Sequence, residues 1–375
     1  MKIAYIVLKG MPLGGGIEKY TNEVGSRLAA RGHEIIVYSM RHYGALDGVY
    51  RDMKIRTVPS IRRRGIEKMT AALMATIKNS FEKGIDIVHY HAFGPAIFSL
   101  VPRLLGRRVI VQGHGLEWKR SRWGLGARLF LRLSERPSIR FPHRITVVSR
   151  VQQAYLMRKY GIESVYIPTG VNPPQREAPD LIRKYGLNGD DYILFTARLV
   201  KEKGAHYLVR AFNQLRADFK LVIAGDAVHE EQYKSSLYKL SQGNSKIIFT
   251  GFVTGKLLSE LFSNAYLFVL PSEIEGLPTS LLEAMSYGNC CLVSDVPENL
   301  EALNGLGYAF RNKDVEDLMA RLTFLVDNRG AVEEHKKAAQ DYVLSNYSWD
   351  DIAAQFEKFY KEVLNQDRLS ANDIF

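Results

Sequence analysis

Eleven short apolar, β-rich runs punctuate this chain, and they constrain its fold more than any other feature. The first part of the sequence carries "KIAYIVL", "EIIVYSM", "DIVHYHAF", "RVIVQGH", "RITVVS" and "SVYIPTG"; the second carries "YILFTARL", "KLVIAGD", "KIIFTGF", "AYLFVLPS" and "CCLVSD". Segments with helical spacing separate them. Short continuous apolar strands alternating with helices imply a parallel sheet covered on both faces. Two such series imply an α/β chain of two doubly wound, Rossmann-like domains, expected to face a central cleft. The boundary is expected in the proline-rich, aperiodic "PTGVNPPQREAPD", residues 168–180. This gives an N-terminal domain over 1–170, a C-terminal domain over 171–350, and a helix with tail over 351–375 that is expected to pack back towards the N-terminal domain. That helix opens with Ser348 and Asp351 at capping-box spacing, Asp standing where Glu is usual.

The 375 residues suffice for two domains, and 46% hydrophobic with 24% charged residues is the balance of a soluble globular protein. The longest apolar stretch without a strong charge, Ala92 to Pro102, is too short to span a bilayer, and the start shows no cleavage pattern, so no signal peptide is expected. Cys290 and Cys291 are neighbours in an apolar run. Adjacent strand residues point to opposite faces, so they read as two buried thiols in a reducing compartment. Charge is unevenly divided: residues 1–175 hold 29 Lys and Arg against 11 Asp and Glu, whereas the remainder holds 22 against 29. A strongly basic half suggests an anionic partner, either nucleic acid or membrane.

Ligands of doubly wound sheets bind at the carboxyl ends of the strands, so residues just after the strands matter most. "SEIEGLPTSLLEAMSYG", residues 272–288, follows one strand and places Glu275 and Glu283 eight positions apart. Pro278 suits the first helical position and Gly288 the C-terminal cap. The N–H groups of Thr279 and Ser280 then favour a phosphate. Thr279 and Glu283 share a helix face, so Glu283 can accept from a ribose diol while Glu275 reaches sugar hydroxyls. The competing reading is an amphipathic helix with both glutamates in water. In "TARLVKEKGAHYLVRAF", Arg198 and Lys203 can neutralise a diphosphate leaving group, or be ordinary surface cations. "KGMPLGGGIEKYTNEV" offers Gly14, Gly15 and Gly16 for close approach of backbone to a ligand, although it lacks the full dinucleotide pattern. His114 ends the strand "RVIVQGH" and is either a general acid/base, a donor to a sugar, or structural. No Asp-x-Asp and no His/Cys cluster with metal spacing occurs, so no cofactor or metal is expected.

Together these segments resemble glycosyltransferase family 4, retaining enzymes of the GT-B fold. "EIEGLPTSLLEAMSYG" is similar to that family's Glu-x7-Glu motif, "ARLVKEKGAHYLVRAF" to its diphosphate-binding segment, "GGGIEKY" to its first loop and "YIPTGVN" to its interdomain segment. The resemblance implies that Glu283 binds ribose, that Arg198 and Lys203 bind diphosphate, that Glu275 binds the donor sugar with Gly276, Leu277, Pro278 and Thr279 beside it, that Gly15 and Gly16 line the substrate, and that His114 lies near the transferred sugar. Thr169 departs from the Asn often found before Gly170. "HYHAFGPAIFSLVPRLLG" and "HGLEWKRSRWG" more narrowly resemble bacterial enzymes of capsule, O-antigen or exopolysaccharide synthesis, some of them rhamnosyltransferases.

The expected reaction is transfer of a sugar from a nucleotide-diphosphate donor to an acceptor hydroxyl, metal-independent and with retention. A sugar-nucleotide epimerase of the same architecture and a basic nucleic-acid-binding protein are the alternatives; the latter leaves the second-half motifs unexplained. One further segment concerns location. In "WKRSRWGLGARLFLRLSER", Arg128, Arg132 and Arg136 recur every fourth residue beside Leu125, Leu129 and Leu133, after Trp118 and Trp123 with Lys119, Arg120 and Arg122 interleaved. Such a helix suits an anionic membrane surface. The expected partners are therefore a nucleotide-sugar donor, a lipid-linked glycan acceptor and the inner face of the plasma membrane, with no nucleic acid.

Overall fold

A computed structural model describes the chain apart from residues 12–14, 45–46, 64–65, 116–124, 228–229 and 373–375. It divides into two compact units, Met1–Gly170 with Trp349–Phe375, and Val171–Ser348.

The first unit runs β1 (Lys2–Leu8), α1 (Gly16–Ala30), β2 (Glu34–Met40), β3 (Gly48–Tyr50), β4 (Met53–Val58), α2 (Glu67–Ser80), β5 (Ile87–Tyr90), a 3₁₀ turn Pro95–Ser99, α3 (Leu100–Leu104), β6 (Arg108–Gly113), α4 (Leu125–Arg140), β7 (Arg144–Val147), α5 (Arg150–Tyr160) and β8 (Val165–Tyr166). Among the described residues these strands form an eight-stranded sheet in the order β3-β4-β2-β1-β5-β6-β7-β8. Strand alternation divides its side chains between two cores: Ile3 and Tyr5 enter one, Ala4 and Ile6 the other.

The sheet is parallel except where β3 pairs antiparallel with β4. This hairpin is absent from the sequence reading for a physical reason. Its two-residue loop is Arg51-Asp52, both at positive φ, where Asn-Gly is the usual signal. Lys54 and Arg56 also interrupt the apolar run that would otherwise mark β4.

The second unit runs β9 (Tyr192–Thr196), a 3₁₀ turn Lys201–Lys203, α6 (Ala205–Phe212), β10 (Lys220–Ala224), α7 (Glu231–Leu240), β11 (Ile247–Gly251), α8 (Gly255–Ser263), β12 (Leu267–Leu270), α9 (Thr279–Ser286), β13 (Cys290–Ser294), α10 (Pro297–Leu303), β14 (Tyr308–Phe310), α11 (Val315–Asp327), α12 (Arg329–Glu334) and α13 (Lys336–Asn346). Among the described residues its strands form a six-stranded parallel sheet in the order β11-β10-β9-β12-β13-β14. β14 is also missing from the sequence reading, being only three residues long and half-buried.

After Ser348 the chain enters α14 (Trp349–Asn372), which belongs to the first unit. Trp349, Ile352, Phe356 and Tyr360 of α14 are fully buried there, in one cluster with Tyr5, Tyr20 and Ile110. Both sheets are doubly wound. Strand order reverses between β1 and β5 in the first unit and between β9 and β12 in the second, so each unit has a crevice at a topological switch point.

Candidate active site

In the second unit, the loops after β9 and β12 meet at the switch point. The loop after β9 brings Lys203; the loop after β12 brings Glu275. Lys203 Nζ donates to Glu275 Oε1 at 2.5 Å, and their side chains are only 17% and 6% exposed. Two residues separated by 72 positions are therefore joined as one ion pair. From sequence they are expected at different parts of a ligand; in this structure they neutralise each other.

The loops are held together by backbone. Gly204 sits at φ +71°, and a Cβ there would lie 1.8 Å from the Pro271 carbonyl oxygen, so only glycine permits this approach. Glu273 N donates to the Glu202 carbonyl at 2.8 Å, and Ser294 Oγ donates to the Ser272 carbonyl at 2.5 Å. The Glu273 carboxylate accepts from Tyr207 Oη at 2.9 Å and pairs with Lys313 at 3.2 Å. Burial, then the hydrogen bond to Glu273, push the Tyr207 hydroxyl up to about 12, so it remains a donor. Glu202, Tyr207, Glu273 and Lys313 thus fix the frame of Glu275, and none of them stands out in the sequence.

Arg198 lies two residues beyond β9 and is exposed. Its backbone is anchored by Leu199 N donating to the Asp226 carbonyl at 3.0 Å. α9 starts at Thr279, with Pro278 as its N-cap in extended backbone, so proline is not the first helical residue as expected but stands one position before it. Gly288 follows the helix at φ +75°. Thr279 and Glu283 are half-buried, and Gly276 and Leu277 complete the turn. The second unit thus brings Arg198, Lys203, Glu275 and the start of α9 to the carboxyl edge of one sheet. A separate cavity of about 620 Å³ is lined by Arg176, Asp190, Tyr287, Arg329 and Gln340 and contains none of these residues.

His114 belongs to the first unit, directly after β6, and is half-buried. Its ring meets the edge of Tyr20 at 5.3 Å and lies 5.7 Å from His91. Tyr20, on α1, also touches Trp349 at 5.6 Å, and its hydroxyl accepts from Gln112 Nε2 at 2.8 Å. Burial pushes His91 down to about 3 and His89 well below its ordinary value, so both imidazoles are neutral at pH 7. Their alternation in "HYH" at the carboxyl end of β5 is the signal that could have drawn attention to them. Gly15 precedes α1 in extended backbone, and a Cβ there would come within 2.1 Å of Glu18 Oε2. That carboxylate accepts from Lys9 N at 3.0 Å through its other oxygen. Gly16 opens the helix, whereas Gly14 lies outside the described residues.

Two sequence models match. "Glycosyltransferase Family 4" covers residues 14–175 and "Glycosyl transferases group 1" covers residues 178–342. The chain belongs to glycosyltransferase family 4. Relatives within and around this family include an uncharacterised glycosyltransferase of Methanocaldococcus jannaschii, 32% identical over 209 residues, which are 52% of this chain and 53% of that one. A GDP-mannose-dependent α-(1-6)-phosphatidylinositol monomannoside mannosyltransferase of Mycobacterium tuberculosis is 24% identical over 93% of this chain and 95% of its own. The crystal structure of HepE from Anabaena, in complex with UDP and glucose, superposes with a TM-score of 0.80 at 16% identity, covering 96% of this chain and all of that one. That likeness is one of fold, and it places both units among GT-B proteins.

Proposed function

We propose that this family 4 protein transfers a hexosyl or deoxyhexosyl group from a nucleotide-diphosphate sugar to an acceptor hydroxyl, with retention. The observation that carries the reading is the Lys203–Glu275 pair at the switch point beside α9. An incoming diphosphate offers Lys203 a stronger anion than one carboxylate does. Lys203 then turns to the phosphates, with Arg198, and Glu275 is released to accept from sugar hydroxyls. Glu283 accepts from the ribose diol, and the N–H groups at the start of α9 face the phosphates. His114 contacts the transferred sugar. As the C1–O bond to the diphosphate breaks, the acceptor oxygen attacks the same face, and its proton passes to the departing phosphate oxygen. Protein cations rather than a metal ion balance the charge, so activity survives EDTA.

The acceptor in this reading is a lipid-linked glycan of bacterial cell-surface polysaccharide such as capsule or lipopolysaccharide. The mycobacterial relative, a phosphatidylinositol monomannoside mannosyltransferase by name, supports a lipid-borne acceptor. No helix among the described residues is long and apolar enough to cross a membrane. The protein then works as a peripheral enzyme on the cytoplasmic face, held by the cations of α4. Saturation-transfer NMR with UDP-, GDP- and dTDP-sugars identifies the donor. Product analysis with and without a lipid-linked acceptor tests the reaction. A new glycosidic bond that forms only with acceptor is the expected result; epimerised nucleotide sugar without acceptor would establish the epimerase instead.

A further inference from the structure

Helices that cover a sheet normally turn large apolar residues inward and small or polar residues outward. Three neighbouring segments of the first unit do the reverse. α2 buries Ala71, Ala72, Ala75, Thr76 and Asn79, and exposes Leu73, Met74, Ile77 and, just after its end, Phe81, which is 83% exposed. α3 buries Pro102 and exposes Val101 and Leu104, with Leu105 exposed beyond it; Leu104 is 77% exposed. α4 buries Ser134, Glu135 and Ser138, with Ile139 its buried large apolar residue, and exposes Leu129, Phe130 and Leu133. α2 packs on α3 and on the 3₁₀ turn Pro95–Ser99, and that turn packs on α4. More than half of the large apolar side chains exposed among the described residues lie on these three helices or directly after α2 and α3. Apolar surface gathered in this way marks an interaction face.

Its charge identifies the occupant. Arg103, Arg132, Arg136 and Arg140 are exposed on the same segments. The carboxylates of these helices are engaged internally. Glu67 accepts from Tyr43 and bonds His42 at 2.7 Å, whereas Glu135 is 2% exposed and takes Lys159, Tyr155 and Tyr160. A leucine- and phenylalanine-rich face framed by arginines complements a bilayer with anionic headgroups, since arginine reaches the headgroups while apolar side chains enter the acyl boundary. We infer that α2, α3 and α4 form an insertion face for an anionic membrane, with Phe81, Leu104, Leu105 and Leu133 entering the lipid. The inference rests on the peripheral-membrane reading above and deepens it: binding is by insertion, not by charge alone.

The experiment uses the full chain and two vesicle compositions, phosphatidylcholine alone and phosphatidylcholine with phosphatidylglycerol, in flotation assays at low salt and at about 1 M salt, where the Debye length is about 3 Å. Wild type is expected to bind anionic vesicles at low salt and to retain a salt-resistant fraction. The double substitution Leu104→Ser with Leu105→Ser removes that fraction and weakens partition about tenfold or more, with Phe81→Ser acting in the same direction. Arg132→Glu with Arg136→Glu removes the salt-sensitive part and leaves the resistant one. These serine variants alter outward side chains, so their melting temperatures and their binding of nucleotide by the second unit remain those of wild type. Complete release of wild type by salt overturns insertion and leaves simple charge adsorption. Failure to bind any vesicle, a dimer in sedimentation equilibrium that Leu104→Ser dissociates, or unfolding of the serine variants each overturns the membrane face. Retained nucleotide binding in such a case shows that the donor-binding reading still stands.

Discussion

Breaking the Lys203–Glu275 pair gives the most direct check on the site, because the two partners predict opposite effects on ligand binding. With side chains 17% and 6% exposed and 2.5 Å between Nζ and Oε1, this is a largely desolvated ion pair. Removing one member of a buried pair costs about 3–5 kcal/mol, and partial exposure of Lys203 points to the lower end. Lys203→Met therefore should destabilise the protein by about 3 kcal/mol and abolish nucleotide binding, since it removes a phosphate ligand. Glu275→Gln retains shape and one acceptor for Nζ, so its cost falls to about 1–2 kcal/mol. It also releases Lys203 from an internal anion, so affinity for a nucleoside diphosphate should rise while turnover falls. A double-mutant cycle with Lys203→Met and Glu275→Leu isolates the coupling, expected at about 2–3 kcal/mol. Urea unfolding gives the stabilities and calorimetry with UDP, GDP and dTDP gives the affinities. Additive single-substitution effects, or weaker diphosphate binding by Glu275→Gln, would refute the idea that Lys203 moves from carboxylate to phosphate.

Three further outcomes are expected. Glu283→Ala should weaken nucleotide binding by about 1.5–3 kcal/mol, the worth of hydrogen bonds to a charged acceptor, and unchanged affinity in calorimetry would remove Glu283 from the ribose site. Gly204→Ala forces an alanine into φ +71° with its Cβ 1.8 Å from the Pro271 oxygen, and should cost about 3 kcal/mol in unfolding experiments from backbone strain plus overpacking. Stability should also fall in acid. His91 is held down at about 3 when folded and titrates near 6.5 when unfolded, so its contribution is complete above about pH 6.5 and declines as pH drops towards 3. Its share of the loss reaches about 2 kcal/mol at pH 5, and His91→Gln should remove that share while the likewise depressed His89 keeps part of the slope.

The two doubly wound sheets were legible because buried parallel strands are continuous apolar runs, and this chain writes eleven of them. The β3–β4 hairpin was not, since Arg51 and Asp52 adopt positive φ without the usual turn residues. Arg198, Lys203, Glu275 and Glu283 were individually visible from their positions after strands. Their assignment to one substrate followed from the resemblance, but the direct Lys203–Glu275 pair was not legible: it depends on β9 and β12 being sheet neighbours, and strand order is set by tertiary packing. Tyr20, which packs on His114, and Trp349, which packs on Tyr20, carry no motif, because a side chain that packs on a site is constrained in shape rather than in chemistry. For the basic segment, Trp118, Trp123, Lys119, Arg120 and Arg122 lie outside the described residues, as do the side chains of Leu125 and Arg128; Leu129, Arg132, Leu133 and Arg136 are exposed.

The outward turn of α2 has a cause in the sheet beneath it, and that cause separates a functional face from an accident of packing. Tyr38, Met40 and Tyr90 project from β2 and β5 into the core that α2 covers, and all three are buried. Large side chains from the strands leave room only for small ones from the helix. Ala71, Ala72 and Ala75 fit there, and Thr76 Oγ1 meets the Tyr90 hydroxyl at 2.8 Å. Rotating α2 to bury Leu73, Met74 and Ile77 would drive them against these tyrosines, an overpacking that typically costs about 1–3 kcal/mol, and would also break the Thr76–Tyr90 bond. The sheet therefore fixes which stripe of the helix faces out. It does not require that stripe to be apolar, since lysine, glutamate or glutamine would satisfy the same helix at no loss of packing. The leucine, methionine and isoleucine of that stripe, with Phe81 just beyond it, are what the proposed membrane face accounts for.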